Sequence, residues 1–151
     1  MSKKTLTPNL WFNGNAKEAV EFYMSVFPDS RILSTIYYPH EGLADFQKAL
    51  AGKVLTIEFE LMNNRFLAIN AGPEFTFNES VSFSIPCKDQ TEIDYYWGKL
   101  SCIKESEQCG WCKDKYGLSW QVVPENMGEL MERPDAFAHL MQMKKLIIEN
   151  F

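Results

Sequence analysis

Between Asn15 and Phe27 the apolar residues Ala16, Ala19, Val20, Tyr23, Val26 and Phe27 recur at helical spacing, with Asn15 placed to cap the segment and Pro28 to stop it. Leu6 to Phe12, before it, is short and extended in character, and Arg31 to Tyr38, after it, is rich in Ile, Leu, Thr and Tyr, so the two read as strands. Pro39 to Lys53 breaks the pattern with Gly42 and Gly52 around an Ala-rich stretch; it reads as a loop with one helical turn, able to act as a flap. Val54 to Leu61 sets Leu55, Ile57, Phe59 and Leu61 against Thr56, Glu58 and Glu60, the alternation of a half-buried strand. A tight turn at Asn63-Asn64 then leads into a strand from Arg65 to Asn70, which closes a βαβββ unit.

The second half repeats the first. Leu10-Trp11-Phe12 corresponds to Phe83-Ser84-Ile85, Val20 to Ile93, Glu21 to Asp94 and Phe22-Tyr23 to Tyr95-Tyr96, each at an offset of 73 (83 minus 10). The later strand pair reads as Gln108 to Asp114 and Leu118 to Pro124, turning at Tyr116-Gly117. After Pro124 comes a short helix, Glu125 to Glu132, then a longer one with Pro134 as its first residue, running to about Leu146; its Phe137, Leu140 and Met141, with Ile147, need cover. The expectation is an α+β protein of one domain over residues 1–151: a module at about 5–73, a second at about 79–124 and a helical extension at 125–151.

Composition narrows the function classes. With 151 residues, 46% apolar and 14% aromatic, the chain can fill one core and favours strands. The fifteen Lys and Arg are scattered in a chain of net charge -5, which gives no stripe for nucleic acid. No apolar run approaches a membrane span and the first eight residues lack the apolar segment of a leader, so a cytoplasmic protein is expected. Cys87, Cys102, Cys109 and Cys112 are then expected as thiols.

Three stretches carry a closer resemblance. They are Leu10-Trp11-Phe12-Asn13-Gly14 with Glu21-Phe22-Tyr23, Val26-Phe27-Pro28-Asp29-Ser30, and Cys109-Gly110-Trp111-Cys112-Lys113-Asp114 through Gly117-Leu118-Ser119-Trp120-Gln121-Val122-Val123-Pro124. Together they resemble the PhnB-like branch of the vicinal-oxygen-chelate (glyoxalase and bleomycin-resistance) superfamily. The resemblance implies two βαβββ modules forming a half-barrel cavity for a small organic molecule, with C-terminal helices, and a homodimer built through strands or the Met141 and Met143 helix. Members of the branch often carry the label 3-demethylubiquinone-9 3-methyltransferase, yet no glycine-rich G-x-G turn of a Rossmann methyltransferase occurs in this sequence.

In metal-using relatives each module presents one ligand from its first strand and one from its last. The internal offsets place these positions at Asn9 and Ser82, and, with 53 across the hairpin, at Ala68 and Gln121. None is His, Asp or Glu, so no metal and no other cofactor is expected. His40 and His139 read as solvated side chains in a loop and a terminal helix. Since residues two apart share a strand face, Asn9, Trp11, Phe66, Ala68, Asn70, Ser82, Ser84, Ser119 and Gln121 are expected to line the cavity. Leu10, Phe12, Leu67, Ile69, Phe83, Ile85, Trp120 and Val122 are expected to face the helices.

Cys109-Gly110-Trp111-Cys112 has the spacing of a redox or zinc motif, but both thiols fall on an expected strand rather than at a helix N-terminus, and no second pair follows. Cys109 shares a face with Trp111 there and would border the cavity as a ligand contact. Glu58, which the offset of 53 aligns with Trp111, is either a general base or part of the wet face of a sheet. Asp114 is expected to cap the Tyr116-Gly117 turn. Three functions remain: metal-independent binding of a small organic ligand; an enzyme (lyase, isomerase or the labelled methyltransferase) with Glu58 or Cys109 as the catalytic group; and a vestigial pocket in a chain that works through partners.

Overall fold

A computed structural model of the protein describes residues 4–151. The chain forms two compact units, the first ending at Thr76 and the second running from Phe77 to Phe151. In the first, β1 (Asn9–Asn13), α1 (Ala16–Val26), β2 (Ser30–Tyr37), β3 (Val54–Leu61) and β4 (Asn64–Ala71) make a four-stranded sheet in the order β1-β4-β3-β2, with β1 and β4 parallel. The βαβββ reading of this half holds, and the loop before β3 carries its one turn, a 3-10 helix at Asp45–Leu50. The β3–β4 turn falls one residue earlier than expected: Leu61 faces Asn64, and Met62 and Asn63 between them both take positive φ, 49° and 64°, the twist a two-residue hairpin needs.

α1 packs on β3 and β4, and its Ala19, Val20, Tyr23 and Val26 are buried together with Ile57, Phe59, Leu61, Phe66 and Ala68 of those strands. The start of α1 is held from outside the helix. Asn15 makes no side-chain cap; instead the Asn70 Oδ1 accepts the Ala16 amide at 3.1 Å, while the Asn70 Nδ2 donates to the Val54 carbonyl at 2.9 Å. The Tyr38 hydroxyl completes the cluster by donating to the Asn70 carbonyl at 2.7 Å. A buried amide with its polar atoms used in this way fixes the last strand against the first turn of the helix.

In the second unit β5 (Ser82–Cys87), α2 (Gln90–Leu100), β6 (Trp111–Lys113) and β7 (Ser119–Pro124) form a three-stranded sheet in the order β5-β7-β6. The expected second βαβββ module therefore lacks a strand. Only residues 101–110 separate α2 from β6, whereas residues 27–53 separate α1 from β3, so the second half has no length for an added antiparallel strand and makes a 3-10 turn at Lys104–Ser106. The strand expected at Gln108 to Asp114 shortens to three residues because Cys109 and Gly110 take positive φ, 52° and 86°, and turn the chain. Asp114 does cap the following turn: its Oδ1 accepts the Tyr116 and Leu118 amides at 2.8 and 3.1 Å and its Oδ2 accepts the Trp120 indole N–H at 2.9 Å.

The C-terminal extension belongs to the second unit. It carries α3 (Met127–Leu130) and α4 (Ala136–Gln142). α4 is shorter than expected, starting after Asp135 in the left-handed region (φ 58°) rather than at Pro134 and ending at Gln142. Met143 is extended at its end, and the carbonyls there are used elsewhere: the Cys109 amide donates to Met143 O and the Gly110 amide to Lys144 O, both at 2.8 Å, before a 3-10 turn at Ile148–Asn150. Leu130, Met143, Leu146 and Phe151 form a buried cluster with Val123 and Leu140 packed on it, while Phe137 and Met141 stay exposed at 66% and 49%.

The Asn70 cluster gives a stability prediction. Asn70→Ala, which orphans the Ala16 amide and the Val54 carbonyl, is expected to lower unfolding free energy in urea by about 1–3 kcal/mol. Asn15→Ala is expected to change it by less than about 0.5 kcal/mol, the range of a surface substitution; equal losses in the two variants would show that α1 is capped by its own N-terminal residue.

Candidate functional site

Each sheet has one face covered by its helix and an opposite, distal face. In the first unit Leu10 lies beside Ala68, Phe12 beside Asn70, and all four are buried on the helix side with Phe66, Ile57 and Phe59. The expected lining is corrected here. Phe66, Ala68 and Asn70 face α1, and Leu67 and Ile69 take the distal face with Trp11, whose parallel partner is Ile69.

The two hairpins are of unequal length, so no single internal offset aligns them. Trp11 pairs with Ile69 and Ser84 with Gln121, so the last strands align at 52 (121 minus 69); Thr56 pairs with Ile69 and Trp111 with Gln121, so the strands before them align at 55 (111 minus 56). The true counterpart of Trp111 is thus Thr56, and Glu58 corresponds to Lys113. Between these positions the second hairpin is three residues shorter than the first, its shorter strands outweighing the longer turn that Asp114 organises.

The distal face of the first unit carries Asn9, Trp11, Thr56, Glu58, Glu60, Leu67 and Ile69. Trp11 is held in place: its indole N–H donates to the Gly72 carbonyl at 2.9 Å, and its ring meets Phe75 edge-on at 4.8 Å. Glu58 has both oxygens engaged, one by the Arg65 Nε at 3.0 Å and the other by the Ser34 hydroxyl at 3.2 Å; Glu60 pairs with the Arg31 Nε at 3.0 Å. With both oxygens engaged by a guanidinium and a hydroxyl, Glu58 belongs to an ion-pair ladder on the sheet.

The distal face of the second unit brings together Ser82, Ser84, Trp111, Lys113, Ser119 and Gln121. Gln121 sits at its centre, facing Ser84 on one side and Trp111 on the other, and its Nε2 donates to the Ser82 hydroxyl oxygen at 2.9 Å. The Ser119 hydroxyl donates to Asn78 O at 3.4 Å, and the Lys113 ammonium pairs with Glu79. Phe83, Ile85, Trp120 and Val122 lie on the helix side, as the pattern predicted.

Cys109 does not share this face. It lies in the turn before β6, where its Sγ accepts from the Gln108 Nε2 at 3.2 Å and sits 3.7 Å from the Met141 Sδ. Cys112 is buried on the helix side, opposite Trp120 in the ladder. All four cysteines are free thiols.

A divalent metal of the kind used by chelating relatives does not fit these residues. With the faces corrected, the distal positions of the first and last strands hold Asn9, Trp11, Leu67, Ile69, Ser82, Ser84, Ser119 and Gln121, an apolar and neutral-amide set without a carboxylate or imidazole. Among the described residues no three His, Cys, Asp or Glu side chains come together as a metal-holding group. His40 and His139 are both exposed.

The comparisons with known proteins decide the family. The 3-demethylubiquinone-9 3-methyltransferase family matches residues 4–123. The chain belongs to this family, within the PhnB-like branch of the vicinal-oxygen-chelate superfamily. A PhnB protein from Bacillus cereus that bears the family's name is 32% identical, with 80% of this chain and 99% of that one covered and a TM-score of 0.64. Two further solved structures share the fold: PA1353 from Pseudomonas aeruginosa (18% identity, 82% and 98% covered, TM-score 0.60) and the fosfomycin resistance protein FosX from Mesorhizobium loti (11%, 88% and 100%, TM-score 0.54). No curated protein matches the chain. Among the described residues no helix is long and apolar enough to cross a membrane.

Burial pushes the Cys87 and Cys112 thiols up from 9.0 to about 12, with nearby carboxylates adding to the effect. Both stay protonated at neutral pH and are expected to resist iodoacetamide in the native protein at pH 8, while exposed Cys102 is modified; mass spectrometry before and after unfolding in guanidinium reads the difference. The linked stability has a definite sign. Well below pH 9 the two thiols are protonated in both states and add no pH dependence; as pH rises through 9 towards 12 the unfolded chain loses these protons first, so stability falls across that window.

Proposed function

We propose that this PhnB-like protein binds a small organic molecule without a metal, using the distal faces of its sheets. The observation that carries the reading is the face of the second unit, where Trp111, Gln121, Ser82 and Ser84 share one side of a sheet and offer an indole, an amide and hydroxyls but no metal-ligating group. Aromatic area with a few placed polar groups is how small-molecule sites gain affinity and orientation. The two units act as parts of one domain, as the family fold implies, and the protein works in the cytoplasm as a homodimer. Exposed Phe137 and Met141 on α4 support that dimer, whereas Met143, expected at the same interface, is buried in its own unit.

Catalysis by Glu58 or Cys109 has less support. Glu58 is held by Arg65 and Ser34, and Cys109 has an amide and a thioether for neighbours rather than a base. Methyl transfer rests on the family's name alone.

A thermal-shift screen of uncharged and charged small organic compounds, run with and without EDTA, tests the reading. Compounds that raise Tm are expected to do so equally in both conditions and to lose their effect in Trp111→Ala. Hits that disappear with EDTA, or that persist undiminished in Trp111→Ala, would overturn it. A Tm raised by S-adenosylmethionine alone would move the function to methyl transfer.

A further inference from the structure

Every charged side chain named on the distal faces already has a partner. Arg31 is paired with Glu60, Arg65 with Glu58, and Lys113 with Glu79. An anionic ligand would have to take a cation from a carboxylate that holds it, and a cationic ligand would have to do the reverse; breaking such a pair strands the partner. The polar groups not tied up in ion pairs on the second unit's face are neutral.

The central pair among them has a definite polarity. The Gln121 Nε2 donates to the Ser82 Oγ at 2.9 Å. That bond uses one amide N–H and one lone pair of the hydroxyl, and leaves the Gln121 Oε1 as an acceptor beside the Ser82 O–H and the second Gln121 N–H as donors. An acceptor beside a donor is the complement of a carboxamide edge, whose N–H meets the Gln121 carbonyl and whose C=O meets the Ser82 hydroxyl. Trp111 stands directly across the ladder from Gln121 on the same face and supplies a flat apolar surface beside that edge.

We propose that the ligand of this face is an uncharged planar molecule bearing a carboxamide or lactam edge, read by Gln121 and Ser82 and stacked on Trp111. The inference rests on the small-molecule reading above and goes further by fixing charge and hydrogen-bond polarity. A carboxylate of the same shape keeps the C=O that Ser82 serves but sets a second oxygen against the Gln121 Oε1. A ketone keeps the first bond and loses the second.

Benzamide, benzoate, phenylphosphonate and acetophenone form a matched set of probes for NMR titration of the ¹⁵N-labelled full chain. Benzamide is expected to shift the Gln121 side-chain amide and the Trp111 indole signals and to bind about tenfold more tightly than acetophenone or either anion, the factor that one lost or opposed hydrogen bond supplies. Gln121→Leu and Ser82→Ala, each checked for an unchanged melting profile, are expected to remove that preference, and either variant that folds suffices. Tighter binding of benzoate or phenylphosphonate at these signals would overturn the ligand class and leave the small-molecule reading in place. No shift from any of the four at their solubility limits would overturn both.

Discussion

A strand has two faces, and a sheet covered by a helix on one of them can use only the other for a ligand. In the first unit the assignment of faces is fixed by one side chain. Asn70 is buried, holds the first turn of α1 through the Ala16 amide and the start of β3 through the Val54 carbonyl, and so turns its whole register, Phe66 and Ala68 included, towards the helix. Trp11, Leu67, Ile69 and the Glu58 and Glu60 ladder follow onto the distal side because a shift of one residue exchanges every side chain between faces.

That constraint also marks where the sequence could be read and where it could not. The α1 face, the alternation of β3, the fold family and the distal set of the second unit apart from Cys109 were legible, since each rests on a local period or a local motif. The faces of β4 were not. Phe66, Ala68 and Asn70 alternate with Leu67 and Ile69 in a strand apolar on both sides, so periodicity alone gives no preference, and no single internal offset aligns two hairpins of different overall length. A pointer was nonetheless present: Asn70 follows Phe66 and Ala68 as a polar residue on an otherwise apolar stretch of their face, and a buried amide must find backbone partners. The missing fourth strand of the second unit was legible in hindsight from chain length, residues 101–110 being too few.

The same faces separate this chain from the chelating chemistry associated with its superfamily. A fold hosts many functions, and what it does is settled by the groups at particular positions. Here those positions carry an indole, amides, hydroxyls and aliphatic side chains, while the carboxylates nearby are bound to arginine or lysine. The outcome is a surface without net charge, suited to shape and hydrogen-bond recognition and poorly suited to holding a dication. The mixed neutral and apolar character also explains why Trp11 can be anchored by its own backbone, through Gly72, without weakening the face: its ring remains as area, and its polar atom needs no ligand.

The absence of metal ligands at these four strands is the central claim, and metal content tests it most directly. The purified protein, incubated with Mn, Fe, Ni and Zn and then dialysed exhaustively, is expected to retain less than about one tenth of a metal per chain, as neutral amide and hydroxyl donors hold such ions weakly. Retention of about one metal per chain would contradict the claim, and would mean that the distal faces carry ligands other than those assigned to them.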